Sequence, residues 1–294
     1  PFPLGDYRKG VSVKNLRVIV AAFAGFLGTA LPAMADRSAP PKLTFGVVPQ
    51  QSATKLAEVW TPLLAYLSSK TGYNIEFRTG QDIRAFERRV ETGEFDFAYY
   101  SPLHYANFRS SGYQAVAREK DTRLVGIVVV SKESKYKGLK DLHGITMAFP
   151  SPTAFAATVL PQLSLQQLGV NVVPKYVSSH ESVYRAVAHG LYPAGGGIVK
   201  TYEQVDPAVR SQLRILWKSP SYTSHPVAVH QRVSKKVTQR VVAALLAMAQ
   251  DPEGALLLKA AGYKGFITAQ DSDYKDIRRL HVSIGQPGVV PKEK

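Results

Sequence analysis

From Lys42 onward the sequence alternates between two periods, and that alternation narrows the fold more than any other feature. Short runs rich in Val, Ile, Phe, Tyr and Ala give strand expectations at 43–48, 74–78, 95–100, 115–118, 125–131, 146–149, 174–178 and 214–217. Between them apolar residues recur at helical spacing, over 54–70, 82–92, 102–110, 153–168 and 181–189. Strands alternating with helices build α/β proteins with mostly parallel sheets, because a parallel pair needs a crossover long enough to hold a helix. After about Ser234 the pattern turns helical (237–250, 252–260, 269–281), and the Gly-, Pro- and Lys-rich tail 285–294 is expected to be loose.

One pattern occurs twice. QDIRAFERRVETGEFDFAYY reads as a helix, a glycine and a strand, and HESVYRAVAHGLYPAGGGIV repeats that order. Gly93 and Gly190 are the expected left-handed caps of the two helices. A long extended run at 124–132 separates the echoes, and another at 213–230 follows the second. Two such crossovers let the chain leave one lobe, build another and return. Lobe one is then 42–130 plus 226–284 and lobe two 131–225, with a ligand held between them at the carboxyl ends of strands.

The first 35 residues carry a different signal. Arg8, Lys9, Lys14 and Arg17 precede a 14-residue apolar run, VIVAAFAGFLGTAL. At 1.5 Å per residue a helix of that run spans about 21 Å, short of the roughly 30 Å hydrocarbon core. Ala33-Met34-Ala35 then supplies a small-x-small cleavage pattern, so residues 1–35 read as a signal peptide cut before Asp36 and the chain as a periplasmic protein. Removing them lowers the formal net charge from +15 to +12. No later segment is apolar enough to span a bilayer. The positive charge is scattered singly or in pairs such as Arg88-Arg89 and Lys235-Lys236, without the basic-aromatic runs of a nucleic-acid binder, which leaves an anionic membrane surface or an anionic small ligand as the partners such a charge favours. The absence of cysteine removes disulfides, thiolate metal sites and a lipid-bearing Cys.

Twice a strand ends in Ser-Pro before a helical run: FDFAYY into Ser101-Pro102, and TMAF through Pro150 into Ser151-Pro152. Serine suits the N-cap and proline the first helical position. A helix starting at the carboxyl end of a strand presents unpaired N–H groups and partial positive charge, the requirements of an anion site. Ser101, Ser151 and Thr153 would add hydroxyl donors, one helix start from each lobe. Ser178 and Glu181 have capping-box spacing, which places His180 in the first turn of a third helix, within reach of the same ligand. Tyrosines 99, 100, 105, 184, 202 and 222 gather near predicted strand ends, where an apolar ring with a hydroxyl suits a cleft wall, and 219–226 lies on the return crossover. Asp82, Glu87 and Glu91 fall on one helix and read as a solvated face.

No enzymatic signature is present: there is no G-x-S-x-G, no P-loop and no H-E-x-x-H, and Gly195-Gly196-Gly197 lacks dinucleotide spacing. His225 and His230, five apart on a strand, face opposite sides and make no metal pair. No catalytic residue, cofactor or metal is expected.

The segments LTFGVVPQQSATKLAEVWTPLLAYLSSKTGYNIEF, FDFAYYSPLHY, FPSPTAFAATVLPQLSL and SSHESVYRAVAHG together resemble the periplasmic phosphate/phosphite/phosphonate substrate-binding proteins of ABC transporters. The resemblance runs over about 42–281. It implies a two-lobed type II periplasmic-binding-protein fold, each lobe a mostly parallel sheet flanked by helices, with two crossover strands and closure on a small oxyanion. It also implies a monomer that serves a membrane permease or, alternatively, a membrane sensor kinase. By motif match Tyr100, Ser101, Thr153 and His180 are the implied ligand contacts, with Gln51 and Ser52 on the first loop to approach the ligand. Ser151 and Tyr222 complete the expected set. The chain departs from the family at Ala154, Ala156 and Ala157, where hydroxyl residues are usual, and at Pro193, where an acidic residue often meets a ligand amine.

Overall fold

A strand such as β1 (Lys42–Val47, KLTFGV) forms because its apolar residues have cover on both faces: Phe45 and Val47 are buried, and so is Gly46 between them. The computed structural model describes residues 41–280 and Val282. The expected signal peptide, its cleavage site and the loose tail lie outside the described residues.

Two sheets result. The first contains β1, β2 (Asn74–Arg78), β3 (Phe97–Tyr99), β4 (Tyr113–Glu119), β10 (Pro226–His230) and β11 (Phe266–Thr268), in the order β11-β4-β10-β3-β1-β2. The second contains β5 (Arg123–Ser131), β6 (Thr146–Phe149), β7 (Val173–Tyr176), β8 (Ala194–Ile198) and β9 (Leu213–Thr223), in the order β7-β6-β8-β5-β9. Both sheets are mixed, which corrects the expectation of mostly parallel sheets. β1 pairs in parallel with β2 and β3, and β6 with β7 and β8. The strands that carry the chain between lobes enter antiparallel: β10 against β3 and β4, β5 against β8 and β9. A chain that leaves a lobe and returns must run one way out and the other way back, so reversal is built into the topology.

The lobe boundary also moves. β5 hydrogen-bonds within the second sheet along its whole length, from Arg123↔Thr223 to Ser131↔Leu213. Residues 123–130, expected in the first lobe, therefore belong to the second, and the crossings are the short connectors 120–122 and 224–225.

Helices flank both sheets. The first lobe has α1 (Ala53–Thr71), α2 (Ile83–Glu91), α3 (Pro102–Asn107), and, late in the chain, α8 (Lys235–Ala247) and α9 (Pro252–Ala260). The second has α4 (Leu160–Gln167), α5 (His180–Ala188), α6 (Val199–Gln204) and α7 (Pro207–Ser211). The helix expected over 269–281 is instead a 3-10 turn, Asp271–Tyr274, followed by α10 (Lys275–Arg278). Gly93 and Gly190 do adopt the left-handed conformation, with φ of 71° and 73°. No single helix among the described residues is long and apolar enough to cross a membrane.

β8, sequence AGGGI, has no side chains to spare because both its faces are pressed upon. A Cβ on Gly196 would lie 1.9 Å from the carbonyl oxygen of Ala157, and one on Gly197 would lie 2.1 Å from the Tyr184 hydroxyl. The triple glycine thus lets the segment after β6 seat on one face and α5 on the other. The largest apolar core continues from the first lobe into Ala154–Ala157, Leu160 and Ile198 of the second, so the two lobes meet.

Candidate functional site

Six chain segments and the two connectors converge where the lobes meet. The first lobe supplies Val48 and Gln50 from the loop after β1, Ile83 from the start of α2 and Ser101 from the start of α3. The second supplies Ala154–Ala157, His180 at the start of α5 and Ile198 at the end of β8, while Leu124 and His225 border the connectors. Between them lies a cavity of about 20 Å³. That holds one or two waters at most, so the lobes are nearly shut upon it. None of its lining residues is an Asp, Glu, Lys or Arg.

Ser101 precedes α3 and its side chain makes no cap hydrogen bond. Pro102 at the first helical position does not account for this, because a cap accepts from the second or third helical amide, as Asp251 does from Gly254 ahead of the Pro-initiated α9. The hydroxyl is buried without any partner. Opposite it the chain makes one turn of π-helix at Phe155–Val159 before α4 begins. Thr158 and Val159 are the first residues to donate back, both to the Ala154 carbonyl, at 2.8 and 3.2 Å. The amides of Phe155, Ala156 and Ala157 precede that first closed bond and have no intrahelical acceptor.

His180 sits where the helix start was expected, but the cap is shifted by one residue. Ser179, not Ser178, is the N-cap, and its hydroxyl accepts from the Ser182 amide at 3.1 Å. Ser178 is left-handed, with φ of 73°, so it turns the chain rather than capping it. The His180 amide donates to the Gln50 carbonyl across the lobes at 3.1 Å. Its Nδ1 lies 3.0 Å from the Thr201 hydroxyl, which leaves Nε2 for a ligand. If Thr201 gives its proton to Nδ1, then Nε2 carries hydrogen and can donate to an anion. Tyr184, 3.0 Å from the Ile198 carbonyl, can then donate to that carbonyl in place of Thr201. Burial first, and His225 second, push the His180 pKa down to about 3. Burial and then Lys200 do the same to His225, also to about 3. Both rings are neutral at physiological pH. The Gln50 side-chain amide donates to His225 Nε2 at 2.9 Å.

The other expected residues are placed differently. Tyr100 points into the first-lobe core among His104, Tyr105 and Tyr113 and does not line the small cavity between the lobes, and burial raises its pKa well above the ordinary value. Its neighbour Tyr99 faces the cleft instead. Ser151 and Thr153 do not start a helix; they form a turn with their hydroxyls 3.0 Å apart. Thr153 Oγ1 then donates across the lobes to Glu87 Oε2 at 2.6 Å. Glu87 is 4% exposed, so the reading of a solvated acidic face fails there. Ser52 caps α1 by accepting from Lys55, at the outer mouth of the cleft. Gln51 also lines that mouth, 3.5 Å from Gln204 of the other lobe. Tyr222 packs edge-on against Phe155, ring centres 5.3 Å apart, behind the cavity wall.

A larger crevice, about 260 Å³, opens beside the small cavity and shares Val48 and Gln50 with it. Trp60, Tyr99 and Tyr263 of the first lobe and Lys200, Thr201 and Gln204 of the second line it. Burial lowers the pKa of Lys200, while its partner Glu119 opposes that shift. Among the described residues no cluster of three or more His, Cys, Asp or Glu is arranged to hold a metal.

Residues 45–274 match the family model for ABC transporter, phosphonate, periplasmic substrate-binding proteins. The chain belongs to that family. It is thus a two-lobed, periplasmic-type substrate-binding protein of the transport class. Members similar to it include the phosphate-import protein PhnD of Mycolicibacterium smegmatis, 22% identical, the match covering 69% of this chain and 70% of that one. The probable ABC transporter phosphite binding protein PhnD1 of Prochlorococcus marinus is also 22% identical, covering 83% and 90%. Among solved structures, a binding-protein component of an ABC phosphonate transporter from Pseudomonas aeruginosa superposes with a TM-score of 0.76 at 19% identity, covering 82% of this chain and 86% of that one. PhnD1 of Prochlorococcus marinus in complex with methylphosphonate gives 0.73 at 21%, covering 82% and 97%. In this family member the cleft residues that sequence reasoning missed are Gln50 and the ring of His225. Gln50 was hidden by its neighbours Gln51 and Ser52, and His225 was singled out only as a candidate metal ligand, its place in the 219–226 return crossover being read for the segment as a whole.

Proposed function

We propose that this substrate-binding protein captures a small tetrahedral oxyanion of the phosphonate, phosphite or phosphate class between its lobes and presents it to a membrane permease. One observation carries the reading: the buried, unpartnered hydroxyl of Ser101 borders the same cavity as the first amides of the 155–167 segment from the other lobe. Donors without acceptors, on both sides of a closed cleft, are what an anion satisfies. His180 Nε2 and the Gln50 amide add neutral donors. Ala154–Ala157, Leu124, Ile83 and Ile198 make the remaining wall apolar, which suits an unsubstituted oxyanion or one bearing a small apolar group. No carboxylate faces the cavity, so a ligand ammonium has no counter-charge there.

The reading extends to the first 35 residues, which direct export and are removed before Asp36. Mass spectrometry of protein recovered from the periplasm should then give Asp36 as the N-terminus, and a recovered chain retaining 18–31 would refute it. For the ligand, calorimetric titration of the purified protein with methylphosphonate, phosphite and phosphate, with sulfate as comparison, should give saturable binding of at least one phosphorus oxyanion. Heats indistinguishable from dilution for all three would remove the oxyanion reading.

A further inference from the structure

Lys200 stands at the start of α6, on the second lobe, yet its ammonium is received by the first. Nζ lies 2.8 Å from Glu119 Oε2 and 3.5 Å from the centre of the Tyr263 ring. The receiving carboxylate is itself buried, 2% exposed, and its other oxygen accepts the Tyr99 hydroxyl. Glu119 is the last residue of β4, immediately before the connector 120–122. Tyr99, Tyr263 and Glu119 all belong to the first lobe, so the socket exists whether or not the lobes are together. Only the cation is delivered by closure.

The socket touches the small cavity without being part of it. The Tyr99 ring stacks on His225 with centres 5.2 Å apart, and His225 holds Gln50. Neither Lys200 nor Glu119 borders that cavity. A buried carboxylate with a single hydroxyl donor is poorly compensated, and an ammonium over an aromatic face adds attraction. Opening the lobes would return Lys200 to water and leave Glu119 with Tyr99 alone. The pair therefore weighs on the open–closed equilibrium and not on ligand contact. A ligand that binds the closed form is held more weakly in proportion as that form is depopulated.

We infer that Lys200 and the Glu119–Tyr99–Tyr263 socket form a closure latch, a positioning device that sets how tightly the protein holds its ligand without touching it. The inference rests on the proposed closure over a ligand. The two can fail separately.

The chain has no cysteine, so a pair of spin labels goes only where cysteines are introduced. Thr54 and Glu203 are exposed and lie one on each lobe. Pulsed electron resonance on the Thr54→Cys, Glu203→Cys protein, alone and with methylphosphonate, phosphite or phosphate, reads the ratio of short to long distances. Lys200→Met and Glu119→Gln should each lower that ratio by roughly thirtyfold or more, the scale for losing one partner of a buried, hydrogen-bonded charge pair. The double variant should lower it little further, and each single variant should still unfold in one cooperative thermal transition. An unaltered ratio in Lys200→Met overturns the latch. So does a parent protein with no short-distance population under any condition, because the pair cannot form in an open molecule. A short-distance population that depends on Lys200 but responds to none of the three anions supports the latch and removes the oxyanion reading instead.

Discussion

Ser101→Ala separates a ligand contact from a helix cap. A serine before a Pro-initiated helix is ordinarily worth about 1 kcal/mol as a cap. In this fold it makes no cap bond, and its buried oxygen has no partner at all. Leaving a buried hydroxyl unsatisfied costs about 1–3 kcal/mol. Replacing it with a methyl group should therefore leave the stability of the ligand-free protein unchanged or slightly raised. Ser179→Ala supplies the contrast, since Ser179 does cap α5 by accepting from the Ser182 amide. That variant should lose about 1 kcal/mol, a fall in Tm of about 2–4 °C for a chain of this size.

Binding should respond the other way. A hydrogen bond to a charged ligand contributes about 1.5–3 kcal/mol, so losing the Ser101 donor weakens affinity roughly ten- to a hundredfold. Thermal melts of both variants, and calorimetric titration of Ser101→Ala with whichever of methylphosphonate, phosphite and phosphate binds the parent, give the two readings. A Ser101→Ala protein that melts lower by as much as Ser179→Ala and binds as tightly as the parent would refute the reasoning. The hydroxyl would then be a cap after all, and the donors would have to be sought at His180 and Gln50.

Thr153→Val and Glu87→Gln should each weaken binding through closure, because their 2.6 Å bond joins the lobes, and a double-variant cycle should show coupling of about 0.5 kcal/mol or more; strictly additive losses would count against it. Gly196→Ala should destabilise by about 1–3 kcal/mol and abolish binding, since its Cβ would fall 1.9 Å from the Ala157 carbonyl, and backbone cannot yield as a flexible side chain can; wild-type binding in that variant would show that the 155–159 turn does not shape the site. His180 and His225 are held down to about 3, below the 6.5 of an unfolded histidine, so below pH 6.5 the unfolded chain binds more protons than the folded one. Their contribution to stability is present above about pH 6.5 and is lost as pH falls towards 3, at up to about 1.4 kcal/mol per pH unit for each ring. Melts from pH 7.5 to 5 should show that fall, flattened in His225→Gln, and a Tm flat over that range would contradict the burial of both rings.

The strand–helix alternation, the left-handed glycines 93 and 190 and the place of His180 in a first turn were legible because each is local: composition, period and one backbone conformation suffice. The failures have a common cause. Glu87 carries the i, i+4 spacing of a solvated face, and its burial is explained by partners from other elements, the Thr153 hydroxyl 66 residues away on the other lobe and the His104 ring, whose Nδ1 lies 3.5 Å from the second carboxylate oxygen. Tyr99 and Tyr100 differ by one residue, and a strand alternates sides. Which of them meets the cleft is fixed by the pairing of Tyr99 with Val47 and Val227, far apart in sequence. The Ser178–Glu181 spacing fitted a capping box, but the left-handed Ser178 moves the cap to Ser179.

The alanines at the second-lobe wall follow from the same close packing. A Cβ on Gly126 of β5 would lie 2.2 Å from the Ala156 carbonyl oxygen, as one on Gly196 of β8 would lie 1.9 Å from that of Ala157. Two neighbouring strands thus each give up a side chain so that successive carbonyls of this turn rest directly on the sheet. With carbonyls pressed against the sheet and the turn's amides left without intrahelical partners, the proposed oxyanion reading has the backbone supply donors that hydroxyl side chains would otherwise share. Small apolar side chains then complete the wall without bringing further polar groups that would need partners when the cleft shuts. On this account the site trades hydroxyl donors for amide donors. Ala156→Ser, which restores a hydroxyl, should accordingly gain little affinity for phosphate by calorimetry, and a gain of tenfold or more would show that the wall, rather than the backbone, limits the donors available to the anion.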